Sequence, residues 1–366
     1  MKHLYVIGNG FDIACGLSTK YIDYFNFLRS QNNKFNNFCL HLKTFRYNES
    51  NQQEALEALT NEMSDIEDIN IWEFAFTIYD YFDKTLLTDK SWNQIEEEIK
   101  LFCSYNEVFS GNNPFSWEEV HRLKIHEIAF KTQSNQISFA NIIKNYLEIK
   151  NAMLRNFEDF DKYVVKELRE FEKRFANYIN YCVKNSKTYI NNAHDLLLNI
   201  TNDENTDICS FNFTNPFNGK NVINCHGLAA DKNVIFGIEN LQLQNEKFFT
   251  SKVYKYTKVA QKTYILSKGT KLNKRIKDTY KEIYFFGLSF SDQDFDYFKY
   301  ILDLYRDKPT KLIFCLSVYD KSKENTIRET LIDSVNNLIN RYSQTFGDSD
   351  YLNSLIISGR FDIKLL

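Results

Sequence analysis

The stretch from Leu4 to Leu17, reading Leu-Tyr-Val-Ile-Gly-Asn-Gly-Phe-Asp-Ile-Ala-Cys-Gly-Leu, limits the fold of this chain more than any other. Leu4 to Ile7 is a short apolar run and reads as a buried strand. Gly8 and Gly10 follow, one residue apart, and then a segment able to start a helix. A strand that breaks at Gly-x-Gly and enters a helix is how α/β proteins bring backbone N–H groups up to a phosphate. Glycine suits that turn because a Cβ would block the approach. The third glycine of the dinucleotide fingerprint would fall at Ile13, and the next glycine is Gly16, so the spacing is not that of a hydride-transfer site. A tight strand-to-helix turn that binds nothing is the plainer alternative.

Further apolar runs complete a sheet. Asp207 to Asn212, Asn221 to Gly227, Asn233 to Gly237, Glu282 to Gly287, Lys311 to Ser317 and Phe361 to Leu365 read as strands. The run Ile-Tyr-Phe-Phe at 283–286 is of the kind buried on both faces of a parallel sheet. Helical stripes cover Thr19–Leu28, about Glu54–Met63, Leu86–Phe102, Trp117–Phe130, Ile137–Ile149, Phe157–Cys182, Thr188–Ile200, Ser291–Tyr305 and Lys323–Tyr342. A polar helical stretch covers about 245–278. These alternations predict a Rossmann-like α/β fold, a mostly parallel sheet with helices on both faces and a large helical insertion. Residues 1–45 and 201–366 are assigned to the α/β core, and 46–200 to the insertion.

Composition narrows the function classes. A chain of 366 residues can bury a large core. A net charge of −3 supplies no global field toward nucleic acid or an anionic membrane. Seven cysteines, with no Cys-x-x-Cys pair, fit reduced thiols and a cytoplasmic setting, not a disulfide scaffold or zinc ribbon. Lys2 and His3 lead straight into the first strand, so no leader is expected, and no apolar run approaches the ~20 residues of a membrane span.

Four polar motifs sit just past apolar runs: Gly8-Asn9-Gly10-Phe11-Asp12, Ser210-Phe211-Asn212-Phe213-Thr214-Asn215, Cys225-His226-Gly227 and Gly287-Leu288-Ser289-Phe290. In open α/β sheets ligands bind outside the carboxyl ends of the strands, so the four motifs are expected to converge. Residues 7–25 resemble the opening of the phage abortive-infection AbiH family. The likeness continues through Trp92 to Glu96, Phe211 to Thr214, His226-Gly227, Ile235 to Ile238 and Phe286 to Ser289. It departs at Leu288, where the family often has His, and at Gln94, where it often has Asp. A remoter likeness is to sirtuin-like NAD-binding domains, through Gly8, Gly10, Gly16 and Leu17, Asn212 and Thr214, His226-Gly227, and Gly287 with Ser289. The sirtuin zinc ribbon has no counterpart, which leaves NAD binding or NAD hydrolysis as the implied activity, with no metal.

Residue chemistry is compatible with that implication. Cleaving the nicotinamide–ribose bond needs a pyrophosphate cradle, expected at Gly8, Asn9, Gly10 and Phe11. It needs a group for the ribose hydroxyls or a water, for which Asn212 has donor and acceptor. It needs a base near neutrality, for which His226 is suited. Asp12, Thr214, Gly287, Ser289 and Asp292 are the further candidates for ribose or phosphate contacts. His226 could equally be a structural histidine, Asn212 an Asx turn, and Ser289 and Ser291 turn and cap residues. Trp92 and Glu96 share a helical face and read as a core anchor and a surface acid, unless their helix closes over the pocket. Lys252–Lys277, with its tyrosines, reads as an exposed helix or a nucleic-acid strip. Three functions stay open: a phage-defence NAD hydrolase, a nucleotide- or nucleic-acid-binding effector using the same pocket, and an interaction protein. Expected partners are NAD or a related nucleotide and a phage-derived trigger, with self-association open.

Overall fold

A computed structural model of the chain describes residues 2–48, 51–82, 157–201, 206–238, 252–267, 279–316 and 324–365, with positions 96, 99, 142, 143, 145, 146 and 276 besides. Strands β1 (His3–Ile7), β2 (Thr206–Ser210), β3 (Asn221–Asn224), β4 (Glu282–Phe286), β5 (Lys311–Leu316) and β6 (Phe361–Leu365) form one sheet in the order β3-β2-β1-β4-β5-β6. Every neighbouring pair is parallel. This is the strand order of a doubly wound dinucleotide-binding sheet. The chain winds outward from β1 to β3, then returns to lay β4 on the other side of β1. The crevice at that reversal lies between the carboxyl ends of β1 and β4.

The described helices are α1 (Asn9–Ala14), α2 (Tyr21–Gln31), α3 (Asn33–Thr44), α4 (Gln52–Ser64), α5 (Ile71–Phe82), α6 (Phe157–Asn185), α7 (Tyr189–Thr201), α8 (Lys258–Ser267), α9 (Phe295–Tyr305), α10 (Glu324–Gln344) and α11 (Tyr351–Ile357). Alternate strand residues point to opposite sheet faces. Leu4, Val6, Ile283, Phe285 and Phe314 therefore pack with α9, α10 and α11. Tyr5, Ile7, Ile208, Phe286 and Ile313 pack with α1 and α7. With a helical layer on each face, central strands are apolar throughout, and each buried large side chain contributes roughly 1.5–3 kcal/mol.

Helices α2 to α6 lie between β1 and β2 in sequence and share a further core. Trp72, Phe76, Phe171 and Phe175 are buried in it, together with Tyr21, Phe25, Phe35 and Phe38 of α2 and α3. Val234, Phe236 and Tyr256, from the segments after β3, join it. The helical layer thus packs against the carboxyl-end side of the sheet where the crevice opens.

Several sequence expectations change. Helix α3 was hidden by its polar composition, although Phe35, Phe38, Cys39 and Leu42 supply the helical stripe. Asn233–Gly237 is extended but joins no strand of the sheet. Its hydrogen bonds go to side chains and to the turn after β3: Glu172 Oε1 accepts from Phe236 N–H at 3.0 Å, Gln261 donates to the Phe236 carbonyl, and Ile235 N–H donates to the His226 carbonyl at 3.0 Å. The helix expected from Ser291 starts at Phe295, after a 3₁₀ turn at Asp292–Asp294. Of the stretch 245–278, Lys252–Tyr256 is 3₁₀ and α8 follows it. The helices expected at 86–102, 117–130 and 137–149 lie outside the described residues, apart from helical positions 96, 99, 142, 143, 145 and 146.

Candidate functional site

Ile7 of β1 stands opposite Phe286 of β4, so the turns that follow the two strands meet. Gly8 N–H donates to the Phe286 carbonyl at 3.0 Å, and Gly10 N–H to the Gly287 carbonyl at 2.9 Å. A Cβ on Gly8 would stand 2.6 Å from Gly287 O, and one on Gly10 2.7 Å from Gly287 Cα. Gly287 has φ +67°, a conformation disfavoured by side chains. Turn-to-turn packing therefore explains these glycines. It also corrects the expected phosphate cradle, because the Gly8 and Gly10 amides are turned to β4 carbonyls. After β4, the amides of Leu288 and Ser289 donate to no backbone carbonyl among the described residues. Phe290 is held at φ +52° by ring contacts to Phe285, Phe298 and Phe314.

A cleft of about 220 Å³ opens at this junction. Gly8, Asn9 and Gly10 form one wall and Gly287, Leu288 and Ser289 another. Asn212 enters from the turn after β2 and His226 from the turn after β3. Phe211, Phe213 and Phe236 give it aromatic sides. All four sequence motifs thus reach one cleft, through part of each. The Asn212 carboxamide is 2% exposed and makes no aligned hydrogen bond among the described residues, although it stands close enough to Asp12 to help lower that carboxyl's pKa. Its backbone is held, with the N–H donating to Ser210 Oγ and the carbonyl accepting from Asn224 Nδ2. An unmatched buried amide costs about 1–3 kcal/mol, the mark of a group kept for something outside the fold.

His226 packs edge-on against Phe211 and Tyr297. Its Nε2 lies 2.8 Å from Asp294 Oδ1, yet off the line an aligned hydrogen bond requires. Burial lowers its pKa from the ordinary 6.5, more than the Asp294 carboxylate restores it. The imidazole is therefore neutral at pH 7, the form a base needs.

Three linked groups were not among the expected site residues: Glu96, raised from the sequence only as part of a helix closing over the pocket, Asp294, and the Lys258 between them. Lys258 Nζ donates to Asp294 Oδ1 at 2.6 Å, to Glu96 Oε2 at 3.0 Å and to the Gln293 carbonyl at 3.0 Å. Both Glu96 and Asp294 line the cleft. Glu96 is buried, which corrects its reading as a surface acid. Lys258 is buried too, an exception within a stretch otherwise expected to be exposed, while Val259 and Tyr264 of the same helix are exposed. One ammonium cannot neutralise two carboxylates away from water. Burial works to raise the Asp294 pKa, but Lys258 and His226 outweigh it and keep the group well below the carboxylate range. Burial pushes Glu96 up to about 8, with Lys258 opposing and the Asp294 charge adding to the rise. Burial works against the Lys258 charge, but the two carboxylates hold it.

Other nominated residues lie elsewhere. Phe11 is packed against Phe217 and Phe286 in the sheet core. Asp12 accepts 2.8 Å hydrogen bonds from Tyr189 Oη and Thr214 Oγ1, and neither Asp12 nor Thr214 lines the cleft. Asp292 is exposed and paired with Arg341 at 2.7 Å. Trp92 and Gln94 lie outside the described residues. Among the described residues, no group of three or more His, Cys, Asp or Glu is placed to hold a metal, and no helix is long and apolar enough to cross a membrane.

The model of one protein family, described as Bacteriophage abortive infection AbiH, matches residues 4–316. That span runs from β1 to the end of β5 and contains the whole cleft. No curated protein and no solved structure matches the chain.

Proposed function

This chain belongs to the bacteriophage abortive infection AbiH family, and on that premise we propose that it is a cytoplasmic defence enzyme that binds NAD and hydrolyses its nicotinamide–ribose bond. The observation that carries the proposal is the unmatched Asn212 carboxamide beside a neutral His226, at the strand reversal of a dinucleotide-type sheet. The reaction asks little of an acid, because nicotinamide leaves from a cationic linkage. The C1′–N bond breaks with its electron pair going to the ring nitrogen. A water oxygen bonds to C1′, and the proton that water loses goes to His226. Asp294 then faces the imidazolium so formed, and Asn212 holds the ribose hydroxyls or the water.

The fit to a dinucleotide is partial. A cleft of about 220 Å³ is smaller than the roughly 300–1,000 Å³ of sites that bury a drug-sized ligand. It takes the reacting riboside end and leaves the remainder outside. With the Gly8 and Gly10 amides already bonded, the Asn9, Leu288 and Ser289 amides on the cleft walls are the phosphate donors proposed. The test is to incubate the protein with NAD and measure nicotinamide. Wild type is expected to release it and His226→Ala to lose that release by 10²–10⁴-fold, on the order of a general-base contribution. Absence of release by wild type, or an unaffected His226→Ala, contradicts the proposal.

One observation favours a second reading, in which the protein also binds nucleic acid. A groove of about 690 Å³ between α6 and the α8 region is lined by Lys162, Lys166, Arg169, Lys173 and Lys255. Only Glu167 and Glu170 oppose them there. Binding by such a groove would weaken steeply with salt.

A further inference from the structure

We propose that Glu96 is the general acid of the cleft, and that the site accordingly also hydrolyses purine ribosides, whose base departs as a neutral molecule only after protonation. The inference rests on reading the cleft as a place where an N-glycosidic bond is broken, and it extends that reading to a second substrate class.

The NAD reaction leaves Glu96 without a task. A nicotinamide leaving group needs no proton, whereas a purine must receive one on a ring nitrogen before the C1′–N9 bond can part. The cleft holds a carboxyl suited to give it. Glu96 and Asp294 share the Lys258 ammonium, at 3.0 Å and 2.6 Å, and both line the cavity. Only one of them can be the neutralised anion. Asp294 is that anion, because His226 stands against it as well. Glu96, whose other oxygen sees only the Gly237 N–H at 3.4 Å, is left as the proton carrier. Among the described residues the charged or titratable groups that bear on it are Lys258, Asp294 and Tyr297, with His226 behind Asp294. Two carboxyls driven apart in pKa, one protonated and one ionised, are the arrangement glycoside-cleaving sites use.

The walls fit the same substrate. Phe211, Phe213 and Phe236 line the cavity and give it apolar aromatic walls for a flat base. The volume matches one nucleoside end better than a dinucleotide. The step balances without a co-reactant other than water. The Glu96 proton goes to the purine nitrogen, the C1′–N9 electrons leave with the base, and a water oxygen bonds to C1′. Its proton passes to His226, and returns to Glu96 through solvent when the products leave. Lys258 is a positioning residue: it touches both carboxyls and orients the acid.

The experiment compares adenine release from adenosine 5′-monophosphate with nicotinamide release from NAD, using the full chain and Glu96→Gln. Wild type is expected to release adenine. Glu96→Gln is expected to lose adenine release by 10²–10⁴-fold and nicotinamide release by less than about tenfold, since that step has no acid to lose. Nicotinamide without adenine from wild type overturns this inference and leaves the NAD proposal standing. Adenine without nicotinamide does the reverse, and neither product overturns both. Equal losses of the two activities in a folded Glu96→Gln contradict the acid role. If that variant does not fold, wild type decides: the ratio of adenine to nicotinamide released should fall as pH rises through about 8, and a flat ratio contradicts the assignment.

Discussion

Two buried acid clusters stand near the same strand ends, and they are built to opposite rules. Around Asp12, the Tyr189 and Thr214 hydroxyls donate to the two carboxylate oxygens at 2.8 Å, and the group is closed off from the cleft. Around Lys258, two carboxyls compete for one ammonium and both face the cleft. Burial shifts the pKa of Asp12 as well as that of Glu96, up to about 6 and about 8. A perturbed pKa therefore does not separate structure from chemistry in this molecule. What separates them is whether the polar groups are already satisfied by the fold.

The largest expected difference between the clusters comes from removing a charge. Lys258→Met leaves two buried carboxyls without their cation. It should cost about 3–5 kcal/mol in denaturant unfolding and abolish activity with it. His226→Ala comes next, with 10²–10⁴-fold lost from nicotinamide release and little change in the unfolding midpoint. Because burial holds the His226 pKa below 6.5, the acid limb of the wild-type pH profile should fall below pH 6.5. A limb above that value would mean the base is another group.

Asp12 should show in stability, not rate. Burial raises its folded pKa to about 6, above the ordinary carboxyl value of 3.8. The stability it contributes is therefore fully present below pH 3.8 and is lost as pH rises through 6. A shift of this size corresponds to about 3 kcal/mol. The difference in unfolding free energy between wild type and Asp12→Asn should trace that loss between pH 4 and 7, and a constant difference contradicts it. The smallest effects form a mirrored pair. Tyr189→Phe should lose about 1–3 kcal/mol of stability and keep its activity. Asn212→Leu should gain stability of similar size and lose activity, because it removes an unmatched amide.

The same distinction explains what could be read from the sequence. The sheet was legible because strands covered on both faces must be apolar along their length, as Ile283 to Phe286 are. The convergence of Asn212 and His226 on Gly8 was legible because a parallel sheet gathers its strand ends. Glu96 and Lys258 were not, since nothing local distinguishes a charged helical residue that faces solvent from one that meets its partner 162 positions away. Asp292 was favoured over Asp294 for want of the same information, although both follow β4 within a few residues. Asn233–Gly237 has the composition of a strand, but its hydrogen bonds go to Glu172, Gln261 and the His226 carbonyl and not to a neighbouring strand, partners that only the folded chain supplies.

The most direct test of the central claim is nicotinamide release from NAD by wild type, Asn212→Ala and Tyr189→Phe, measured together on folded protein. The account predicts release by wild type, loss in Asn212→Ala and retention in Tyr189→Phe. Equal activity in all three, or no release by wild type, would contradict it.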